Sequence, residues 1–347
     1  RGRDIMSSWL RHKGRYEALI SAALHRHGLP QDLIYLAMIE SSYDPTTLSY
    51  AGASGLWQLM PANAEVYGLR YDHWIDERRD PVKSTEAVML YWRDLYERFG
   101  NWTLALAAYN AGYGAVLRSI AKYNTNDFWT LSKYEAGLPW STTLYVPKAI
   151  AAAVVGHDPE VFAYDRASPD PPFSFDVVTV QKSVSLAVLA KATGTRKETI
   201  EALNPHILRG RTPPGEKNFE VHIPKGSEKR FATTFAELRG DWDDTDAYLV
   251  KHGERFEDIA TTFGIGRAQL RALNGVAHEG DIHGGMIIVV PKISDKTRAE
   301  NAKKAKQDLY RSGTKASEPD EPLIVPVPDK DYRLPELKQV FYRVVVG

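Results

Sequence analysis

Gly194 to Asn204 and Gly264 to Asn274 are two stretches of equal length, 70 residues apart, and each sits inside the same larger pattern. In the first, Phe175 to Val180 reads as a strand, Leu186 to Ala192 as a helix running up to Gly194, Glu198 to Leu203 as a helix ending at Asn204, and Phe219 to Ile223 as a strand closed by Pro224-Lys225. In the second, Tyr248-Leu249-Val250 precedes Gly253, Phe256 to Phe263 is a helix up to Gly264, Ala268 to Leu273 ends at Asn274, and Met286 to Val290 is a strand closed by Pro291-Lys292. A period of this kind means two copies of one βααβ unit. A unit of roughly 45–50 residues buries little surface and is marginal alone. The last residues, Tyr342 to Gly347, match Tyr248 to Gly253 as Y-x-V-x-x-G, so a truncated third copy is expected over 337–347. The copies span 174–226 and 246–293. Charged or Pro-rich connectors, Ser227 to Asp244 and 294–336, join them.

Ahead of the repeats the pattern is different. Ser168-Pro169-Asp170-Pro171-Pro172 marks a linker, and residues 1–167 read as helical. Trp9 to His27 is amphipathic and stops at Gly28-Leu29-Pro30. Helices are also expected over Gln31–Ser41, Pro61–Tyr67, Asp80–Phe99, Asn101–Ala111 and Thr142–Val155. Several are apolar on more than one side, which fits an irregular helical domain rather than a regular bundle. The fold class is therefore α+β and multidomain, an all-α domain followed by small βααβ units.

Composition removes several functions. Lys+Arg and Asp+Glu are both 44, so the formal net charge is zero and nothing argues for nucleic acid. Cysteine is absent, which excludes disulfides and thiolate metal sites. The histidines show no metal-ligand spacing, so neither metal nor cofactor is expected. No apolar run of about 18 residues is present. With no signal-like segment at Arg1, the chain reads as a mature or trimmed form, and any targeting signal or lipid anchor is expected to lie outside it.

Glu40 is the candidate catalytic residue. It closes the apolar run Leu33 to Ile39, and helical spacing puts Leu33, Leu36 and Ala37 on its face. A carboxyl there is desolvated, which disfavours its charged form and raises its pKa, as a general acid at neutral pH requires. The plainer reading is a helix-end glutamate paired with an arginine.

Four segments set Glu40 in context: Ile39-Glu40-Ser41-Ser42-Tyr43-Asp44-Pro45, Ala53 to Pro61 (A-S-G-L-W-Q-L-M-P), Ala107-Ala108-Tyr109-Asn110-Ala111-Gly112, and Leu144-Tyr145-Val146-Pro147-Lys148. In this order and spacing they resemble the lytic transglycosylases with a goose-type lysozyme-like domain. With the repeats behind them, the membrane-bound D type is the nearest match. The resemblance covers about residues 1–160. It implies that Glu40 is the single acid/base, that Ser49 lies near the substrate's N-acetyl group, and that Gln58 and Met60 line the glycan groove. It also implies that Tyr109 and Asn110 face the carboxylate, and that these two and Tyr145 of the last core helix bind substrate. Read plainly, Trp57 is core. Two positions depart from the family: Tyr113 stands where an acidic residue or proline is usual, and Ser141-Thr142 stand where Glu-Thr is usual.

The repeats resemble lysin-motif domains, which implies binding of N-acetylglucosamine-containing glycan through loops around Gly253, Glu254 and Arg255 and around Leu273 and Asn274. The first copy lacks the early glycine, with Gln181-Lys182-Ser183 near that place; the plainer reading of such a unit is a spacer or intramolecular docking element.

The implied reaction cleaves the β-1,4 bond between N-acetylmuramic acid and N-acetylglucosamine without water. Ordinary glycosidases use two carboxylates, about 5–5.5 or 6.5–9.5 Å apart. Here only Glu40 has the setting, since Asp44 in Asp-Pro reads as a turn residue. The expected partner is peptidoglycan, in the bacterial periplasm or cell envelope, with an outer-membrane lipoprotein as one form. Oligomeric state has no sequence signal. The competing readings are a hydrolytic muramidase using Asp44 and a glycan-binding scaffold.

Overall fold

In the computed structural model, residues 2–164, 168–242 and 244–311 are described. The expected third repeat at 337–347 and most of the connector before it lie outside them.

The first domain is helical: α1 (Gly2–Arg26), α2 (Ile34–Ser41), α3 (Pro61–Val66), α4 (Pro81–Phe99), α5 (Trp102–Ala111), α6 (Tyr113–Tyr123), α7 (Phe128–Leu131) and α8 (Trp140–His157). Starts follow local chemistry. Asp80 accepts from the Val82 and Lys83 amides ahead of Pro81, and Asn101 accepts from those of Thr103 and Leu104. Gly100 ends α4 with a positive φ. One core gathers Ile20, Leu36, Met38, Trp57, Trp92, Leu95 and Phe128. Trp57 is fully buried, meets Trp92 edge-on and donates its indole N–H to Thr85 at 3.0 Å. Helices α2 and α8 pass so closely that a Cβ on Gly156 would come within 1.9 Å of the Tyr35 ring.

Each repeat forms a two-stranded antiparallel sheet. β1 (Phe175–Val180) pairs with β2 (Phe219–Pro224), with α9 (Leu186–Thr193) and α10 (Lys197–Leu203) between them. After α11 (Glu228–Glu237) and α12 (Arg239–Trp242), β3 (Thr245–Leu249) pairs with β4 (Ile287–Pro291), enclosing α13 (Phe256–Thr262) and α14 (Arg267–Asn274). The two copies share an internal device. The Asn204 amide donates to the carbonyls of Ile200 and His222 and its oxygen accepts from the His222 N–H; Asn274 does the same with Leu270 and Val289. Each asparagine ties the end of a helix to the returning strand.

Both connectors differ from expectation. Ser227 to Asp244 holds α11, whose Phe231, Phe235 and Leu238 recur at helical spacing and pack on the first repeat. Residues 295–311 form α15 (Asp295–Arg311), which lies against α13, with Asn301 donating to the Thr262 carbonyl. The linker at 168–172 is laid along α1: Asp170 N–H donates to Arg11 O and Phe173 N–H to Arg15 O. Helices α6 and α7 were not expected.

The repeats are docked on the helical domain through the loop before α4. Trp74 and Ile75 are buried in the core of the first repeat. Leu208 N–H donates to Trp74 O, and Asp76 N–H to His206 O. The Trp74 indole donates to Ile287 O of the second repeat at 2.8 Å, and His73 Nε2 to Asn274 O at 3.0 Å. Arg70 pairs with Glu216 at 2.6 Å.

Candidate active site

Glu40 is the penultimate residue of α2, which ends because Ser42 takes a left-handed conformation. The Ser41 hydroxyl donates to Leu56 O at 2.8 Å, joining this helix end to the 52–59 loop. Burial pushes the Glu40 carboxyl up to about 7, against the lowering effects of a Tyr145 hydrogen bond and the Lys148 charge. The Tyr145 hydroxyl donates to Glu40 Oε1 at 2.6 Å. Among the described residues no arginine pairs with Glu40, which counts against the helix-end salt-bridge reading; a largely buried carboxyl near neutrality suits proton donation and return.

A cleft of about 230 Å³ opens at Glu40, and Ser49, Gln58, Met60, Tyr109 and Asn110 line it. Six positions that the sequence scatters over 71 residues thus share one cavity. Their roles divide. The Tyr109 hydroxyl donates to Trp57 O and does not reach the carboxyl. Asn110 is the penultimate residue of α5 rather than mid-helix, and accepts at Oδ1 from the Thr142 hydroxyl at 2.8 Å. Tyr145, expected as a substrate-binding residue of the last core helix, instead contacts Glu40 and is not among the residues lining the cleft. Asp44 is exposed and accepts from the Thr46 N–H and hydroxyl, as a turn residue does.

The far bank of the cleft is the 48–60 loop, and its rigidity has a source that sequence reasoning missed. Ser49 exchanges backbone hydrogen bonds around Ala53, and its hydroxyl accepts from the Ala53 N–H at 2.9 Å. Gln58, at φ +48°, spends its side-chain amide on Thr47 O and Gly55 O. Beneath lies Arg78, 2% exposed. It pairs with both Asp76 oxygens at 2.8 Å and donates to Gly52 O at 2.7 Å and Leu59 O at 3.1 Å. A buried cation needs such pairing. Gly55 has φ +86°, and a Cβ there would come within 1.8 Å of the Arg78 carbonyl, so only glycine fits. The signal available was the run Asp76-Glu77-Arg78-Arg79-Asp80, too charged for a buried segment unless paired.

In the second repeat, Gly253 and Arg255 are exposed, and Glu254 accepts from Tyr248 at 2.8 Å and from the Lys251 N–H at 3.0 Å. Arg255 is engaged by Asp258 through two bonds. Leu273 and Asn274 require correction as glycan contacts. Asn274 is fully buried with its amide spent on the backbone, and Leu273 packs against the first repeat's core. Among the described residues no group of His, Cys, Asp or Glu is placed to hold a metal.

Family comparison agrees with this organisation. The transglycosylase SLT domain matches residues 17–132, the LysM-like domain of lytic transglycosylase MltD matches 174–239, and the LysM domain matches 248–291. The chain thus carries a helical, lysozyme-like SLT domain followed by lysin-motif domains.

It is homologous to membrane-bound lytic murein transglycosylase D of Escherichia coli (strain K12), 28% identical over 275 residues, which is 75% of this chain and 60% of the relative. A putative tributyltin chloride resistance protein of Alteromonas sp. (strain M-1) is 38% identical over 107 residues, 30% of this chain and 52% of the relative. The 70 kDa soluble lytic transglycosylase of Escherichia coli has a solved structure matching 44% of this chain and 25% of its own at 26% identity, with a TM-score of 0.35.

Proposed function

We propose that this chain is a peptidoglycan lytic transglycosylase, cleaving the β-1,4 bond between N-acetylmuramic acid and N-acetylglucosamine to leave a 1,6-anhydro end. The observation that carries this reading is the setting of Glu40, a largely buried carboxyl at about 7 that Tyr145 holds where it lines a cleft. Glu40 protonates the glycosidic oxygen as the bond to the muramic acid C1 breaks. The N-acetyl oxygen of the same sugar stabilises the cationic carbon. Glu40, now a carboxylate, takes the proton from the C6 hydroxyl, whose oxygen closes the ring on C1. That proton restores the acid, and no water enters. An attacking group already in the bound sugar has an entropic advantage over captured water. In this reading Ser49 and Asn110, which line the cleft, hold the N-acetyl group and the ring, and Gln58 and Met60 wall the strand.

A single-carboxylate reaction is favoured over hydrolysis because Asp44, the alternative second group, is exposed and committed to its own turn. The lysin-motif repeats supply wall binding, through the loop at Gly253–Arg255 in the second. The relatives named membrane-bound support a place in the cell envelope; within it, the proposed form is a periplasmic lipoprotein. No described helix is long and apolar enough to cross a membrane. Mass spectrometry of digested peptidoglycan tests the reaction. Anhydro products lie about 18 mass units below hydrolytic ones because no water is added; dominant reducing ends carrying solvent oxygen would make the protein a muramidase.

A further inference from the structure

A second hollow, about 430 Å³, lies at the N-terminal end of α8. One wall is α6, with Arg118, Ser119 and Lys122, and the other is the segment from Glu135 to Trp140. It neighbours the Glu40 cleft. Asn110, which lines that cleft, accepts a hydrogen bond from Thr142, two residues beyond Trp140.

The lining has the chemistry of a carboxylate site with an apolar edge. Arg118 and Lys122, one turn apart, bring two cations to one wall, against a single acidic residue, Glu135. Lys122 also lies over the Tyr123 ring, and among the described residues Arg118 has no ion-pair partner. Helix α8 runs 18 residues from Trp140 with no side-chain cap at Pro139; the Thr142 and Thr143 amides donate to the Pro139 carbonyl, which leaves those of Trp140 and Ser141 at the positive end of the dipole. Ser119, 4% exposed, lines the same hollow, and among the described residues its hydroxyl has no hydrogen-bond partner. A buried hydroxyl is rarely left so. Trp140, 77% exposed, stands at the rim as a free aromatic face.

We propose that this hollow takes the acidic peptide branch of a wall strand whose sugars lie over Glu40. The branch carboxylates meet Arg118, Lys122, the Ser119 hydroxyl and the α8 amides, and its aliphatic part lies on Trp140. The proposal rests on the transglycosylase reading, and it makes the peptide a second determinant of substrate choice beside the glycan.

The test compares two substrates with the full chain: peptidoglycan strands bearing their peptides, and the same strands stripped of peptide by an amidase. In an Arg118→Ala/Lys122→Ala variant, KM for peptide-bearing strands is expected to rise roughly five- to tenfold, the scale of two partly exposed charge contacts, with kcat little changed. The rise is confined to peptide-bearing strands, and salt raises their KM in the wild type but no longer in the variant. Trp140→Ala gives the same selective rise without the change in salt response. An equal KM change on both substrates, or none on either, overturns the proposal. If the wild type cleaves neither strand, the transglycosylase reading falls and takes this subsite with it.

Discussion

Replacing Glu40 by Gln should disable the protein and stabilise it, with the stabilisation present only at higher pH. In the folded state the Glu40 carboxyl titrates near 7, raised from 4.5 by burial. As pH rises from 4.5 towards 7, the unfolded chain gives up this proton while the folded chain keeps it. The folded state therefore binds more protons, and stability falls through that window. Below 4.5 both states are protonated and nothing is lost; above 7 the loss is complete. The shift of about 2.5 units corresponds to about 3 kcal/mol at 1.36 kcal/mol per unit. Gln is close to isosteric, keeps a carbonyl oxygen for the Tyr145 hydroxyl and never ionises. Thermal unfolding of both proteins at pH 4 and pH 8, followed by circular dichroism, should give nearly equal midpoints at pH 4. At pH 8 the variant should be higher by several degrees, at roughly 2–4 °C per kcal/mol for a domain of this size. Glycan cleavage should fall by at least about 10²–10⁴, the loss expected for general acid–base catalysis. A midpoint difference that is the same at both pH values, or a variant less stable at pH 8, would refute the desolvation argument. Substantial cleavage by the folded variant would remove Glu40 from the mechanism.

Two further outcomes follow from named contacts. Tyr145→Phe removes the hydrogen bond that lowers the Glu40 pKa, so the falling alkaline limb of kcat/KM should move up by roughly one pH unit, the scale of one bond to a charged group; a limb that stays or moves down counts against it. Trp74→Ala empties a position buried in the first repeat's core and deletes a bond to the second repeat, a loss of roughly 3–5 kcal/mol by the usual cost of removing a buried Trp; it should release the repeats, seen as a larger radius of gyration and faster proteolysis near 168–172, and an unchanged radius would mean that other contacts suffice.

Much of the site was legible because its chemistry is local. The apolar run up to Glu40 forecasts both its helix and its desolvation, and the spacing of the glycines and asparagines separates the repeats. Arg78 was not legible, because the carbonyls it serves, Gly52 and Leu59, lie 26 and 19 residues upstream and carbonyls leave no mark in a sequence. The connector helices were hidden by their charge: α11 carries Phe231, Phe235 and Leu238 on one face within a run of Glu, Lys and Arg. Asn274 was misassigned although a signal existed. Asn204 holds the same place in the copy with the altered early loop, and a residue kept where the loop differs points to architecture rather than ligand.

The dock at Trp74 changes what the wall-binding repeats are for. A flexible tether only raises the local concentration of a strand, over every distance it can reach. Here the loop holding Trp74 also carries Asp76 and Arg78, which brace the cleft bank, so one loop joins the repeats to the proposed catalytic cleft. A strand gripped at the second repeat would meet Glu40 at a set distance. The assembly would then work as a gauge, cutting at a recurring interval from the held sugar, and the length distribution of released fragments would carry that interval as a period.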